Sequence, residues 1–136
     1  MGSSPSTLVE EEKATWKKPH ALQVDRELHE KQRPLIARFG KDLSLCWSTR
    51  MLEGKPVRHY FVTDGKLIMA FADGVKVAGS VEVKSLSYKV GSYQVEKMVE
   101  CTNEVRQRME VVCGGCNHSY CLRNSEHLCK YIISGS

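Results

Sequence analysis

The residue order predicts an α+β protein in which an antiparallel β-sheet is packed with helices, and three observations carry that expectation. From Pro34 onward, short apolar runs alternate with turn-forming residues, the pattern of strands joined by hairpins. After Cys101 the apolar residues fall three and four apart, which is the helical period. The chain has 136 residues, 41% hydrophobic and 26% charged, the balance of one ordinary globular domain able to bury a core without disulfide or metal staples. Its longest apolar run, Leu67 to Ala72, is far short of the roughly 20 residues a membrane-spanning helix needs, so no transmembrane segment is expected.

Residues 1–33 are polar, with an acidic triplet at Glu10 to Glu12 and basic Lys13, Lys17 and Lys18. Leu22, Val24 and Leu28 are too few to define an amphipathic face, so this part is expected to be a mobile arm with room for one short helix. Met1 to Ser6 fits an N-myristoylation pattern on Gly2 and also reads as an expression leader, the preferred reading. The folded domain is expected over 34–136.

Within it the apolar runs are Leu35 to Phe39, Leu43 to Trp47, Val57 to Thr63, Lys66 to Phe71, Val75 to Val81, Val83 to Val90 and Tyr93 to Val99. Turn residues separate them, and Asp64-Gly65 is the strongest hairpin signal, because a two-residue turn of that type needs positive φ that Asp and Gly tolerate. Thr102 or Asn103 is then placed to cap a helix carrying Val105, Met109 and Val112 and ending at Gly114-Gly115. A second helix is expected to begin at Asn124, with the Asn side chain as cap and Glu126 in the positive first turn.

Lysine and arginine outnumber aspartate and glutamate by 20 to 16, and the whole excess lies after residue 33. This surplus is compatible with RNA or an anionic membrane surface as partner, but no five-residue block is mostly basic, so charge alone selects neither. No secretory leader is evident, which places six cysteines in a reducing, cytoplasmic compartment. Cysteines and histidines crowd the end at Cys113, Cys116, His118, Cys121, His127 and Cys129; Cys113 and Cys116 have zinc-knuckle spacing, with Cys121, His127 or Cys129 available for a second pair. The second half of that motif is poorly formed, and Cys113 and Cys129 also read as small apolar residues on buried helix faces. The expectation is no metal and no cofactor, with a small zinc-binding module kept as an alternative.

Asn124-Ser125-Glu126-His127-Leu128, followed by Lys130-Tyr131 and Gly135, resembles the Asn-Cys-Glu-His-Phe signature of the lecithin:retinol acyltransferase-like family. Glu104-Val105, Arg108, Glu110, Gly114 and Tyr120 are similar to the helix and loop that precede that cysteine, and His59-Tyr60-Phe61-Val62-Thr63-Asp64-Gly65 resembles the family's His box. The resemblance covers about residues 55–135. It implies a permuted papain-like, NlpC-type thiol fold and transfer or hydrolysis of lipid acyl groups. Carried over by position, His59 is the base and Ser125 stands where the family has its nucleophilic Cys, with Asn124, Glu126, His127 and Tyr60 in support.

The physical logic stands apart from the family. A thiol at a helix N-terminus is favoured as thiolate by the dipole, and an imidazole on a neighbouring strand can take its proton. A serine hydroxyl there is not appreciably ionised, and the resemblance places the family's imidazole-orienting position near Met69, a poor hydrogen-bond acceptor. The chain shows no hydrophobic C-terminal anchor, which turns the resemblance toward picornaviral 2A proteins of the H-box and NC type, small proteins without a protease motif. That resemblance implies a non-proteolytic role in viral RNA replication in the host cytoplasm, through host or viral proteins. The competing expectation is a lipid acyltransferase or phospholipase with its nucleophilic Cys replaced by Ser125.

Overall fold

The computed structural model describes residues 23–52, 54–71, 80–86, 91–116 and 122–135. Expectations for the leader, the acidic triplet, residues 75–79 and 87–90, and His118, Tyr120 and Cys121 lie outside the described residues, as do the side chains of Cys116 and Asn124. The described elements run β1 (Gln23–Val24), α1 (Arg26–Ile36), β2 (Asp42–Leu52), β3 (Lys55–Thr63), β4 (Leu67–Phe71), β5 (Val81–Ser85), β6 (Gln94–Glu100), α2 (Asn103–Val112), β7 (Gly115–Cys116) and α3 (Leu122–Ser134). The architecture is α+β. Five antiparallel strands lie in the order β5-β4-β3-β2-β6, and β1 pairs separately with β7.

The sheet buries one face against the helices. Leu43 and Leu45 of β2, Tyr60 and Val62 of β3, Met69 of β4 and Val81 and Val83 of β5 form one cluster with Val105 and Met109 of α2 and Leu128, Cys129 and Ile132 of α3. The period-2 alternation of a strand sends Tyr60 and Val62 to that face and His59 and Phe61 to the other. The second face is also buried along β2 and β3, where Cys46 lies opposite Phe61 and Ser48 opposite His59. Thr102 caps α2 by accepting from the Val105 amide at 3.2 Å, as its side chain type favours.

Three expectations are corrected. The boundary at Pro34 falls inside α1, so Leu35 and Ile36 end a helix and do not begin a strand. Asp25 caps that helix by accepting from the Leu28 amide at 3.1 Å, and Leu28, Gln32, Leu35 and Ile36 share its inward side at helical spacing. Gln32 then accepts the Val83 amide at 2.7 Å, so residues 26–33 dock on the edge of β5.

The β3–β4 hairpin forms where expected, but its last strand pair is Thr63 with Ile68, so the connection is longer than two residues. The Asp64 carboxylate causes the difference. It accepts from Lys66 N at 2.8 Å, Leu67 N at 2.7 Å and Gly40 N at 2.8 Å, while Gly65 takes φ 95°. Burial acts to raise the pKa of this carboxyl, but the amides outweigh it and hold the group below the usual aspartate value.

The final helix begins at Leu122, two residues before the expected start. Asn124 is therefore its third residue and cannot be the N-cap, which must precede the first helical residue. Glu126 is correspondingly beyond the first turn.

Candidate functional site

The two boxes singled out in the sequence meet where the first turn of α3 lies against β3. β4 pairs only with Val62 and Thr63, so the backbone of β3 upstream of Val62 has no partner from β4. The Tyr60 amide, the peptide nitrogen that joins His59 to Tyr60, donates instead to Ser125 Oγ at 3.1 Å. Ser125 is 3% exposed and His59 is 9% exposed. The observed link between the boxes thus runs through the peptide joining His59 to Tyr60. His59 itself points to the opposite face of the strand from Tyr60.

Tyr60 is the hub of a polar cluster on the helix side. Its hydroxyl donates to Glu96 Oε1 at 3.0 Å, and Lys130 of α3 pairs with Glu126, lies 4.0 Å from Glu96 Oε2 and sits 5.8 Å from the Tyr60 ring centre. Glu96 arrives there because the register between β2 and β6 jumps from Leu45–Lys97 to Cys46–Val95, leaving Glu96 as the extra residue of a bulge. Burial of Tyr60 raises its phenol pKa, and the Glu96 carboxylate adds to this against an opposing hydrogen bond from Arg58. The Glu126 hydrogen bond raises the Lys130 ammonium in turn. These charges bind β3, β6 and α3 together.

Of the expected site residues, the structure brings Ser125 to the peptide that joins His59 and Tyr60. Glu126 is directed to Lys130 four residues along its own helix, and His127 is buried in α3. Met69 is no neighbour of the imidazole: it pairs with Val62 and Val83 in the apolar cluster, on the face away from His59. The cross-strand neighbour of His59 is Ser48, which is buried. Ser48, Glu96 and the bridging role of Lys130 were missed from sequence. Ser48 follows Ser44 and Cys46 on the face opposite Leu43 and Leu45, where a polar residue reads as solvent-facing, and a bulge has no reliable sequence mark.

A second polar contact lies at Cys113. Cys113 follows the last turn of α2, its thiol 3.3 Å from His29 Nδ1 and donating to the Glu110 carbonyl at 3.3 Å, while His29 Nδ1 is 2.9 Å from the Cys113 carbonyl. Burial, followed by the Glu110 charge, pushes this thiol up to about 11. Burial also pushes Cys46 up to about 11 and raises Cys101 and Cys129. Among the described residues no group of three or more His, Cys, Asp or Glu is arranged to hold a metal ion. No helix among them is long and apolar enough to cross a membrane.

No family model, curated protein or solved structure matches this chain.

Proposed function

We propose that this chain is a non-enzymatic interaction protein on a permuted papain-like, NlpC-type scaffold, of the picornaviral 2A H-box and NC type, serving RNA replication through host or viral proteins in the cytoplasm. The observation that carries the non-enzymatic part is the use made of Ser125. Its hydroxyl is buried and accepts the Tyr60 amide, so the nucleophile position acts as a peg that ties a helix head to the strand carrying His59. A hydroxyl gains little anionic character from a helix dipole, and Met69 offers the imidazole no support. The viral part rests on the resemblance of the two boxes.

Two experiments test this. Acyl release from a short-chain phosphatidylcholine is expected to be the same for the protein and for Ser125→Ala. Turnover that depends on Ser125 and vanishes in His59→Ala would overturn the non-enzymatic reading. In a replicon of the H-box and NC type whose 2A segment is replaced by this chain, RNA accumulation is expected to recover. A silent replicon making folded protein would remove the viral assignment.

The acyltransferase reading has one observation in its favour: the residue in the nucleophile position sits in the first turn of a helix beside the His-bearing strand. Ser125→Cys decides it. A reactive but non-turning thiol fits the proposal, and robust lipid turnover promotes the enzyme.

A further inference from the structure

A hollow of about 450 Å³ opens where the last turn of α1, the β3–β4 turn and the end of β5 converge. Leu35, Leu67 and Val83 supply its apolar lining, and Arg38, Lys66 and Lys84 supply its charge, all of one sign. The three basic residues are exposed, and among the described residues none is in an ion pair. The local carboxylates outside the lining are turned to other donors, Asp64 to the amides of Gly40, Lys66 and Leu67 and Glu82 to Ser80, and they keep their charge. The carbonyl end of α1, which would repel an anion, is covered as well, because the Arg106 guanidinium donates to Ile36 O at 3.0 Å and Phe39 O at 2.8 Å. The charged side chains of the lining itself are thus all basic, set over an aliphatic floor of Leu35, Leu67 and Val83.

We propose that this hollow takes the phosphate head of an anionic phospholipid at a membrane surface, with the first carbons of the lipid resting on Leu35, Leu67 and Val83. Long basic side chains reach a phosphate while their stems stay on apolar surface, which suits a ligand charged at one end and aliphatic at the other. A single-stranded RNA is the poorer fit. Sequence-tolerant binding of exposed bases relies on aromatic platforms, and the described lining has none.

The test is co-sedimentation with phosphatidylcholine vesicles, alone or containing one-fifth phosphatidic acid, using the protein, the hollow triple R38A/K66A/K84A and a control triple R26A/K55A/K97A that removes equal charge elsewhere. Binding is expected only to the anionic vesicles, to weaken roughly a hundredfold in the hollow triple at about one kcal/mol per basic residue, and to weaken less than tenfold in the control. Equal losses in the two triples would overturn the proposal, as would no vesicle binding by the unaltered protein. Inorganic phosphate that binds alone and displaces the vesicles at millimolar concentration would reassign the hollow to free phosphate. Hollow-dependent capture of poly(U) without vesicle binding would reassign it to RNA. Should the hollow triple fail to fold, the single reversal Lys84→Glu carries the same comparison.

Discussion

Two junctions in this molecule set an element bearing a histidine against a helix end, and they have opposite polarity. At the first, His29 of α1 meets the carbonyl end of α2 at Cys113. At the second, the strand of His59 meets the amide end of α3 at Ser125. A carbonyl end disfavours an anion and an amide end favours one. The chain places a thiol at the end that suppresses ionisation, where burial and Glu110 hold it up at about 11, and a hydroxyl at the end that would assist it. Neither side chain is ionised at neutral pH, and each makes a contact that ties its helix end to the neighbouring element.

The most damaging way to break the first junction is Gly114→Ala. Gly114 has φ 77°, and an added Cβ would lie 2.7 Å from His29 N and 2.9 Å from His29 Cα, backbone atoms that cannot step aside. Left-handed strain and the clash together predict a loss of about 2–5 kcal/mol in urea unfolding. Gly65→Ala shares the positive φ but meets nothing within 4 Å, so its loss should stay near 1–2 kcal/mol. Equal losses at the two glycines would show that the α1–α2 corner is not tightly closed.

The second junction breaks less severely. Ser125→Ala leaves the Tyr60 amide without its acceptor in a buried setting and should lose about 1–3 kcal/mol by the same measurement. A loss below about 0.5 kcal/mol would remove the peg role.

A direct comparison comes from Ser125→Cys in a chain that still has Cys113. Iodoacetamide at pH 8, read by peptide mass spectrometry, should label position 125 at least about tenfold faster than position 113, because the helix ends act on the two thiols in opposite directions. Cys113 should stay slow until the pH nears 11. Faster labelling at Cys113 would invert the polarity argument.

The smallest expected effect lies outside both junctions and serves as their reference. Asp64 has a lowered folded-state pKa, so its contribution is present above the ordinary aspartate value near 4 and is lost as the pH falls through the folded value. Asp64→Asn should therefore be less stable than the parent at pH 7, by under about 1 kcal/mol, with the gap closing below pH 3. A gap unchanged at pH 2.5 would mean that the amides do not depend on the carboxylate charge.

The sheet and the α2 helix were legible because their signals are local. Thr102 caps, Val105 and Met109 point inward, and the apolar runs at Leu43 to Trp47 and Val57 to Thr63 fall within β2 and β3. Helix α1 was not, since Pro34 reads as a break. A proline two residues before the helix end removes one hydrogen bond, which docking through Gln32 and Ile36 outweighs. That Ser125 would lie against the strand of His59 was expected from the resemblance of the two boxes, and the contact made is with the Tyr60 amide. Its manner was not, because which amide lacks a strand partner depends on how far β4 runs alongside β3.

The two-residue strands β1 and β7 join Gln23 to Cys116 and Val24 to Gly115. About ninety residues separate those partners, and at roughly 5–20 residues per second a ribosome takes about 5–18 seconds to make them. While the β2–β4 meander emerges and can pair, the early helix waits beside it for a docking site that has not yet been synthesised. Its histidine and cap find their seats on Cys113 and Gly114 only after those residues have been made. The β1–β7 pairing therefore closes a ring after the sheet is made, so a stall before residue 113 would leave a formed sheet with α1 held through Gln32 on β5 and its head unseated.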